Sequence, residues 1–310
     1  MSGPVCNARE EAVDATDDPE ECRLEVTEGH AAQVGAMGVN RLVPRRARRT
    51  VGAWCFVDHM GPAPVTETVG LDVGPHPHIG LQTVTWLFEG SVVHRDSMGF
   101  EQLIRPGQLN LMTAGHGVSH SEETRGIYAG DLHGIQFWVA QPDSTRNGEP
   151  AFEHHSDLPQ LDLANGTATV IIGSVGDVSS PARRDTDHSG AELDLRPGES
   201  VVPLRADYEY AVALADGAVT IDGTTLTPGK LGYLGIGRDE FALTATEATR
   251  MMLFGGVPLE DELIMWWNYV ARTRDEITDA HNSWTNDDGR FGKVASPLDR
   301  VDVDPPLWAR

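Results

Sequence analysis

The chain of 310 residues carries 24 Lys+Arg against 47 Asp+Glu, a formal net charge of −23, which excludes a protein that works by neutralising backbone phosphates on a basic face. The one dense basic run, Arg45, Arg46, Arg48 and Arg49, reads as a solvated strand edge or loop. Hydrophobic residues at 40% and charged ones at 23% are globular composition, and the length suits two domains, each with its own core.

Residues 1–22 hold no apolar stretch fit for a signal peptide and are expected to form a disordered acidic tail. No run of about 18 apolar residues exists to cross a membrane as a helix. Cys6, Cys22 and Cys55 are odd in number and unpaired in spacing, so neither a disulfide framework nor a cysteine metal site is expected. A cytoplasmic protein without direct nucleic-acid or membrane partners follows. Lysine occurs only at Lys230 and Lys293, and the acidic excess is spread along the chain. A dispersed carboxylate surface suits a salt-rich cytoplasm, with the arginine codons of a GC-rich genome as the plainer account.

From residue 23 onward, segments rich in Val, Ile, Thr, Leu and aromatics are cut at short intervals by Phe88-Glu89-Gly90, Pro106-Gly107, Ala114-Gly115 and Asp216-Gly217. Asp222-Gly223, flanked by Val219-Thr220-Ile221 and Thr224-Thr225-Leu226, predicts a two-residue hairpin, because that turn needs positive φ. Many short strands without intervening helices predict sandwiches or barrels. The stretch from Phe88 to Leu109 resembles that from Ala215 to Leu231 in its order of turn, hairpin, Pro-Gly turn and new strand, so one barrel is present twice. The polar, turn-rich Gln141–Pro150 marks the boundary. The expected division is a first barrel over 23–145, a linker and second barrel over 146–258, a helical segment over 259–294 and a tail over 295–310. Thr273-Arg274-Asp275-Glu276 has the capping-box form, and Ile277, Ala280 and Trp284 then share a helical face. Trp266-Trp267 reads as core anchoring.

The histidines carry the chemistry. In a strand, residues i and i+2 project from one face, so His76 and His78 point together, as do His120 and Glu122. Two such pairs on neighbouring strands converge inside a barrel, and three imidazoles with one carboxylate suit iron, manganese, nickel, copper, cobalt or zinc with positions left for substrate. His94 with Asp96 reads as a charge pair in a strand, His133 as a core hydrogen-bonding residue, and neither joins the site. No histidine occurs between His188 and His281, so the second barrel is metal-free. Ungapped offsets from the repeat place its equivalents of the ligands at Pro203, Arg205, Ala242 and Thr244.

Gly74-Pro75-His76-Pro77-His78-Ile79-Gly80, His94-Arg95-Asp96-Ser97, Met112-Thr113-Ala114-Gly115-His116-Gly117, His120-Ser121-Glu122 and Met265-Trp266-Trp267-Asn268 resemble the pirin family, over about residues 23 to 294. The resemblance implies an all-β fold of two antiparallel, jelly-roll-like cupin barrels in tandem with a C-terminal helix that returns to the first. It further implies one divalent metal, Fe2+ foremost, on His76, His78, His120 and Glu122. The implied activity is a quercetin 2,3-dioxygenase that opens a flavonol-like aromatic substrate with O2, Glu122 being its general base. The alternative is a non-enzymatic, iron-dependent redox sensor that binds a regulatory or metabolic protein partner. Ile79 stands where many relatives have Arg and Gln82 where they have Glu, which would change the charge beside the metal; His116 reads as a residue of the pocket rim.

Overall fold

The computed structural model describes residues 24–66 and 68–309, so the expected acidic tail lies outside the described residues. The chain forms two compact units, and they are interleaved rather than consecutive. One gathers residues 24–29, 42–54 and 158–259; the other gathers 30–41, 55–157 and 260–309.

The repeat is confirmed by topology, since each unit pairs a seven-stranded with a four-stranded antiparallel sheet. In the metal-candidate unit the larger sheet runs Ala151–His155, Leu109–Thr113, Leu81–Glu89, Gly130–Ala140, Trp54–Val65, Met37–Val43, His30–Val34, and the smaller Val73–His78, Val118–Glu123, Val92–Asp96, Glu101–Ile104. Ladder partners explain why the boundary at 145 is displaced. Ala151–His155 pairs with Leu109–Thr113, holding the chain in this unit to residue 157, while Glu25–Glu28 pairs with Lys230–Ile236 of the other unit. The turn-rich segment is a fastening within its unit, where Gly115 N–H donates to Gln141 Oε1 at 2.8 Å and His116 N–H to Gly148 O at 2.9 Å.

In the other unit Asp222 and Gly223 make the expected hairpin at φ 49° and 72°. Its strands Gly198–Pro203 and Glu240–Ala245 correspond to the histidine strands, with Val202 opposite Phe241 and Ser200 opposite Leu243. Val202, Phe241, Leu243 and Ala245 are buried in one apolar cluster. The ungapped offsets therefore slip by one residue: Ala242 and Thr244 are exposed, because a one-residue shift in a strand exchanges its faces. Arg48 also departs from the solvated reading, being buried over the Tyr233 ring with its Nη2 2.6 Å from Glu25 Oε2.

The helix spans Arg274–Asn286, its Thr273 side chain accepting from Glu276 N–H at 3.2 Å, while Glu276 Oε2 accepts from Arg272 N–H at 2.9 Å. Ile277, Ala280 and Trp284 pack with Tyr269, Phe291 and Ile79, the residue directly after His78. Among the described residues no helix is long and apolar enough to cross a membrane. The segment expected as a tail is instead a strap on the strand that carries His76. Val301 N–H donates to Pro75 O at 2.9 Å, Trp284 Nε1–H to Val301 O at 3.0 Å, and Ser296 Oγ to Glu123 Oε1 at 2.7 Å. A Cβ at Gly74 would run into the carbonyl oxygen of Asp299. Gly74→Ala is accordingly expected to loosen the strap, and limited proteolysis with mass mapping should show cleavage within 295–301 accelerated several-fold while the barrels stay intact.

Candidate metal centre

The site begins with one ladder. Val73–His78 and Val118–Glu123 pair antiparallel with His76 opposite His120 and His78 opposite Val118. Cross-strand partners share a face, so His76 and His120 meet directly and His78 joins them on the diagonal. The ring centroids lie 4.4 Å apart for His76 and His120, 5.0 Å for His76 and His78, and 4.9 Å for His78 and His120. One nitrogen from each falls within 4.8 Å of the others. The ladder then shifts between His120 and Glu122, which sets Glu122 opposite Val73 where an unbroken register would set it opposite Gly74. Glu122 is buried and lines the same cavity, yet as its side chain stands it is outside the 4.8 Å group. Three of the four expected ligands are brought together and the fourth is placed beside them.

Each ring is held from behind. His76 Nδ1 is 2.9 Å from Gly74 O, and His78 Nδ1 is 3.1 Å from Asn268 O. A carbonyl only accepts, so in both rings Nδ1 carries the proton and Nε2 keeps its lone pair for the centre. Nε2 of His78 and Nε2 of His120 approach to 3.0 Å, a distance that a proton on His120 Nε2 or a shared cation would bridge. His120 Nδ1 lies 3.2 Å from His94 Nδ1, and His94 Nε2 lies 3.1 Å from Asp96 Oδ2. Sequence reasoning left this pair aside. The signal was present as a His-x-Asp of the same period-two spacing on the adjacent strand, where Asp96 faces His120 and His94 faces Glu122.

Burial sets the electrostatics. It lowers His76 to about 4 and, with the neighbouring imidazoles, carries His78 and His120 well below the usual histidine range. It raises Glu122 to about 7. Three neutral imidazoles with inward lone pairs and a carboxyl poised near neutrality fit a divalent first-row transition metal.

The cavity they line has a volume of about 440 Å³. Phe56 and Trp138 form one wall, stacked at 4.0 Å and 14°. Arg41 lies over Phe56 at 4.4 Å and donates twice to the buried Asp58, at 2.8 and 2.7 Å. Trp266 packs on the helix cluster as anchoring predicts; Trp267 does so too but also lines the cavity, at φ 51° on the tip of the hairpin whose Asn268 holds His78. Positive φ in a bulky residue is a strained conformation, retained here where the chain turns beside the site. Gln82 faces away from the three rings. Its neighbours Thr83 and Thr85 pair with the cavity-lining Trp138 and Gln136, so Gln82 projects from the opposite face, where Nε2 donates to Thr113 Oγ1 at 2.9 Å. Ile79 likewise faces the helix cluster, and His116 bonds Gly148 O at 3.0 Å beside a separate small pocket. His133 hydrogen-bonds in the core as expected, its Nε2 2.8 Å from Nε2 of His59.

The chain also matches known proteins in sequence and fold. The Pirin family profile matches residues 36–139 and the Pirin C-terminal cupin domain profile residues 190–292. The chain is 41% identical over 288 residues to a Pseudomonas aeruginosa protein provisionally named quercetin 2,3-dioxygenase, covering 92% of this chain and 91% of that one. It is 36% identical over 267 residues to a pirin-like protein of Caulobacter vibrioides, covering 84% and 92%. The crystal structure of a quercetin 2,3-dioxygenase from Acinetobacter baumannii superposes with a TM-score of 0.87 at 39% identity, over 91% of this chain and 95% of that one. A bacterial pirin from Escherichia coli, solved in complex with nickel(II), shares the fold at a TM-score of 0.61 and 19% identity, over 76% and 100%.

The buried groups give opposing pH dependences. As pH falls below 6.5, the unfolded chain takes up protons that the three folded imidazoles refuse, so stability declines. Glu122, protonated in the fold up to about 7 but only to 4.5 when unfolded, adds stability as pH falls from 7 to 4.5. Glu122→Gln removes that opposing contribution. Calorimetry of the metal-free protein is therefore expected to show stability falling more steeply from pH 7 to 4.5 in Glu122→Gln than in the wild type, by up to about 1.4 kcal/mol per pH unit.

Proposed function

The chain belongs to the pirin family, and from that premise we propose that it is a metal-dependent dioxygenase of the quercetin 2,3-dioxygenase type, its metal held by His76, His78, His120 and Glu122. The observation that carries the reading is the convergence of three imidazoles at the wall of a cavity with a stacked aromatic shelf. We take Fe2+ as the ion, and when bound it would supply Lewis acidity toward the hydroxyl and carbonyl oxygens of a flavonol and the electron exchange that dioxygen chemistry requires.

The protein's part is placement and proton handling. Trp138, one face stacked on Phe56, lines the cavity beside His78 and offers its indole as an aromatic contact for the flavonol rings. Met60, Leu71 and Val73 line the same cavity and displace water from around the reacting edge. Glu122, buried beside the three rings on the cavity wall, is placed to take the proton of the flavonol 3-hydroxyl, leaving the enolate that O2 attacks as the ring opens and carbon monoxide departs. Glu122, one register step off the three rings, would complete the metal's ligand set from the cavity side.

Purified without a chelating tag, the protein is expected to carry about one metal per chain and to bleach quercetin only when O2 is admitted. His76→Ala should lose the metal, measured by mass spectrometry. In Glu122→Gln protein that retains metal, turnover should fall about 10²- to 10⁴-fold. Full metal occupancy with no turnover in the wild type would overturn the dioxygenase reading and favour the redox sensor.

A further inference from the structure

The three rings of the cluster are not fixed in the same way. His76 and His78 each rest on a backbone carbonyl, which decides their tautomer alone. His120 rests on His94, whose Nδ1 at 3.2 Å can donate or accept. The choice is made one residue further out, where His94 Nε2 lies 3.1 Å from Asp96 Oδ2. Asp96 Oδ1 is already occupied by the N–H groups of Met98 and Phe100, at 2.9 and 3.1 Å.

We propose that Asp96, acting through His94, is a positioning residue that sets the tautomer of His120 and thereby frees His120 Nε2 to bind the metal. The inference rests on the metal reading above. A carboxylate only accepts, so His94 must carry its proton on Nε2. With its single proton on Nε2, His94 offers a lone pair at Nδ1, His120 donates from its own Nδ1, and its Nε2 is left bare for the cation it would share with His78. All three residues are buried, and the His94 ring is clamped by Phe152 in a stack at 4.6 Å and 14°, so neither rotation nor water readily replaces the arrangement. Carboxylate–histidine chains of this kind orient metal ligands generally, and breaking one costs about 10- to 100-fold in metal affinity.

The chain of protons makes an unusual demand on variants, because reversing it should do more harm than deleting it. In Asp96→Asn the side-chain oxygen keeps the two backbone N–H groups, so the amide NH2 meets His94 Nε2 and forces it to accept. The proton of His94 moves to Nδ1, His120 accepts there, and the proton of His120 blocks Nε2. In His94→Ala the ring is gone and His120 populates both tautomers. The double variant should behave like His94→Ala, which means that removing His94 rescues Asp96→Asn.

The test has two arms. Nitrogen NMR of histidine-labelled, metal-free protein should find His120 protonated at Nδ1 in the wild type, at Nε2 in Asp96→Asn and at both in His94→Ala. Chelator competition with Co2+ alone should then show binding about 10- to 100-fold weaker in Asp96→Asn, with partial recovery in the double variant. Wild-type His120 protonated at Nε2 would overturn the proposal, as would Asp96→Asn protein of unchanged melting temperature that binds Co2+ as tightly as the wild type. Should Asp96→Asn not fold, His94→Ala decides: His120 still protonated wholly at Nδ1 would overturn the inference. Failure of the wild type to bind Co2+ would sink the metal reading, and the NMR arm would still judge the relay.

Discussion

The register that sets His76 against His120 governs the rest of the site. Antiparallel pairing fixes which side chains share a face, so that single alignment brings two imidazoles into contact and carries His78 to the diagonal position. The same ladder, read on its other edge, places Asp96 behind His120 and His94 beside Glu122. A slip by one residue would turn all of these side chains to the opposite face. The irregularity after His120 is therefore a local exception with a use, because it offsets the carboxylate from the rings without removing it from their cavity.

The far end of the chain completes what the ladder begins. Residues 260–309 belong to the same compact unit, and they supply the Asn268 carbonyl for His78, the Trp267 wall, the helix against Ile79 and the Val301 contact on Pro75. Pro75 and Pro77 flank His76 without amide hydrogens to give, so outside bonds to this strand fall on its carbonyls, and the strap takes one of them. The metal-candidate strand is thus held by two neighbours, the sheet on one side and the C-terminal segments on the other.

The duplicated unit puts apolar residues on the strands equivalent to the histidine strands. Its two equivalent strands carry Val202, Phe241 and Leu243 into a buried apolar cluster, where the strands of the first unit carry histidines. Buried polar groups need partners, whereas aliphatic and aromatic side chains need only close packing. The same strand order thus carries an apolar cluster in one unit and a histidine-lined cavity in the other.

Sequence by itself determined the elements and the faces. Period-two spacing in His76-Pro77-His78 and His120-Ser121-Glu122, the Asp222-Gly223 turn and the Thr273 cap are local patterns, and each is borne out in backbone geometry. The family resemblance carried the two-barrel fold further than spacing alone could. What only the tertiary structure decided was adjacency: that His94 and Asp96 stand behind His120, that Gln82 faces away, that Ala151–His155 stays with the first barrel and Glu25–Glu28 joins the second, and that residues 295–309 form a strap. Periodicity tells which face of a strand a side chain leaves from; which strand lies next to it, and in what register, is settled by hydrogen-bonded pairing and packing between segments distant in the chain.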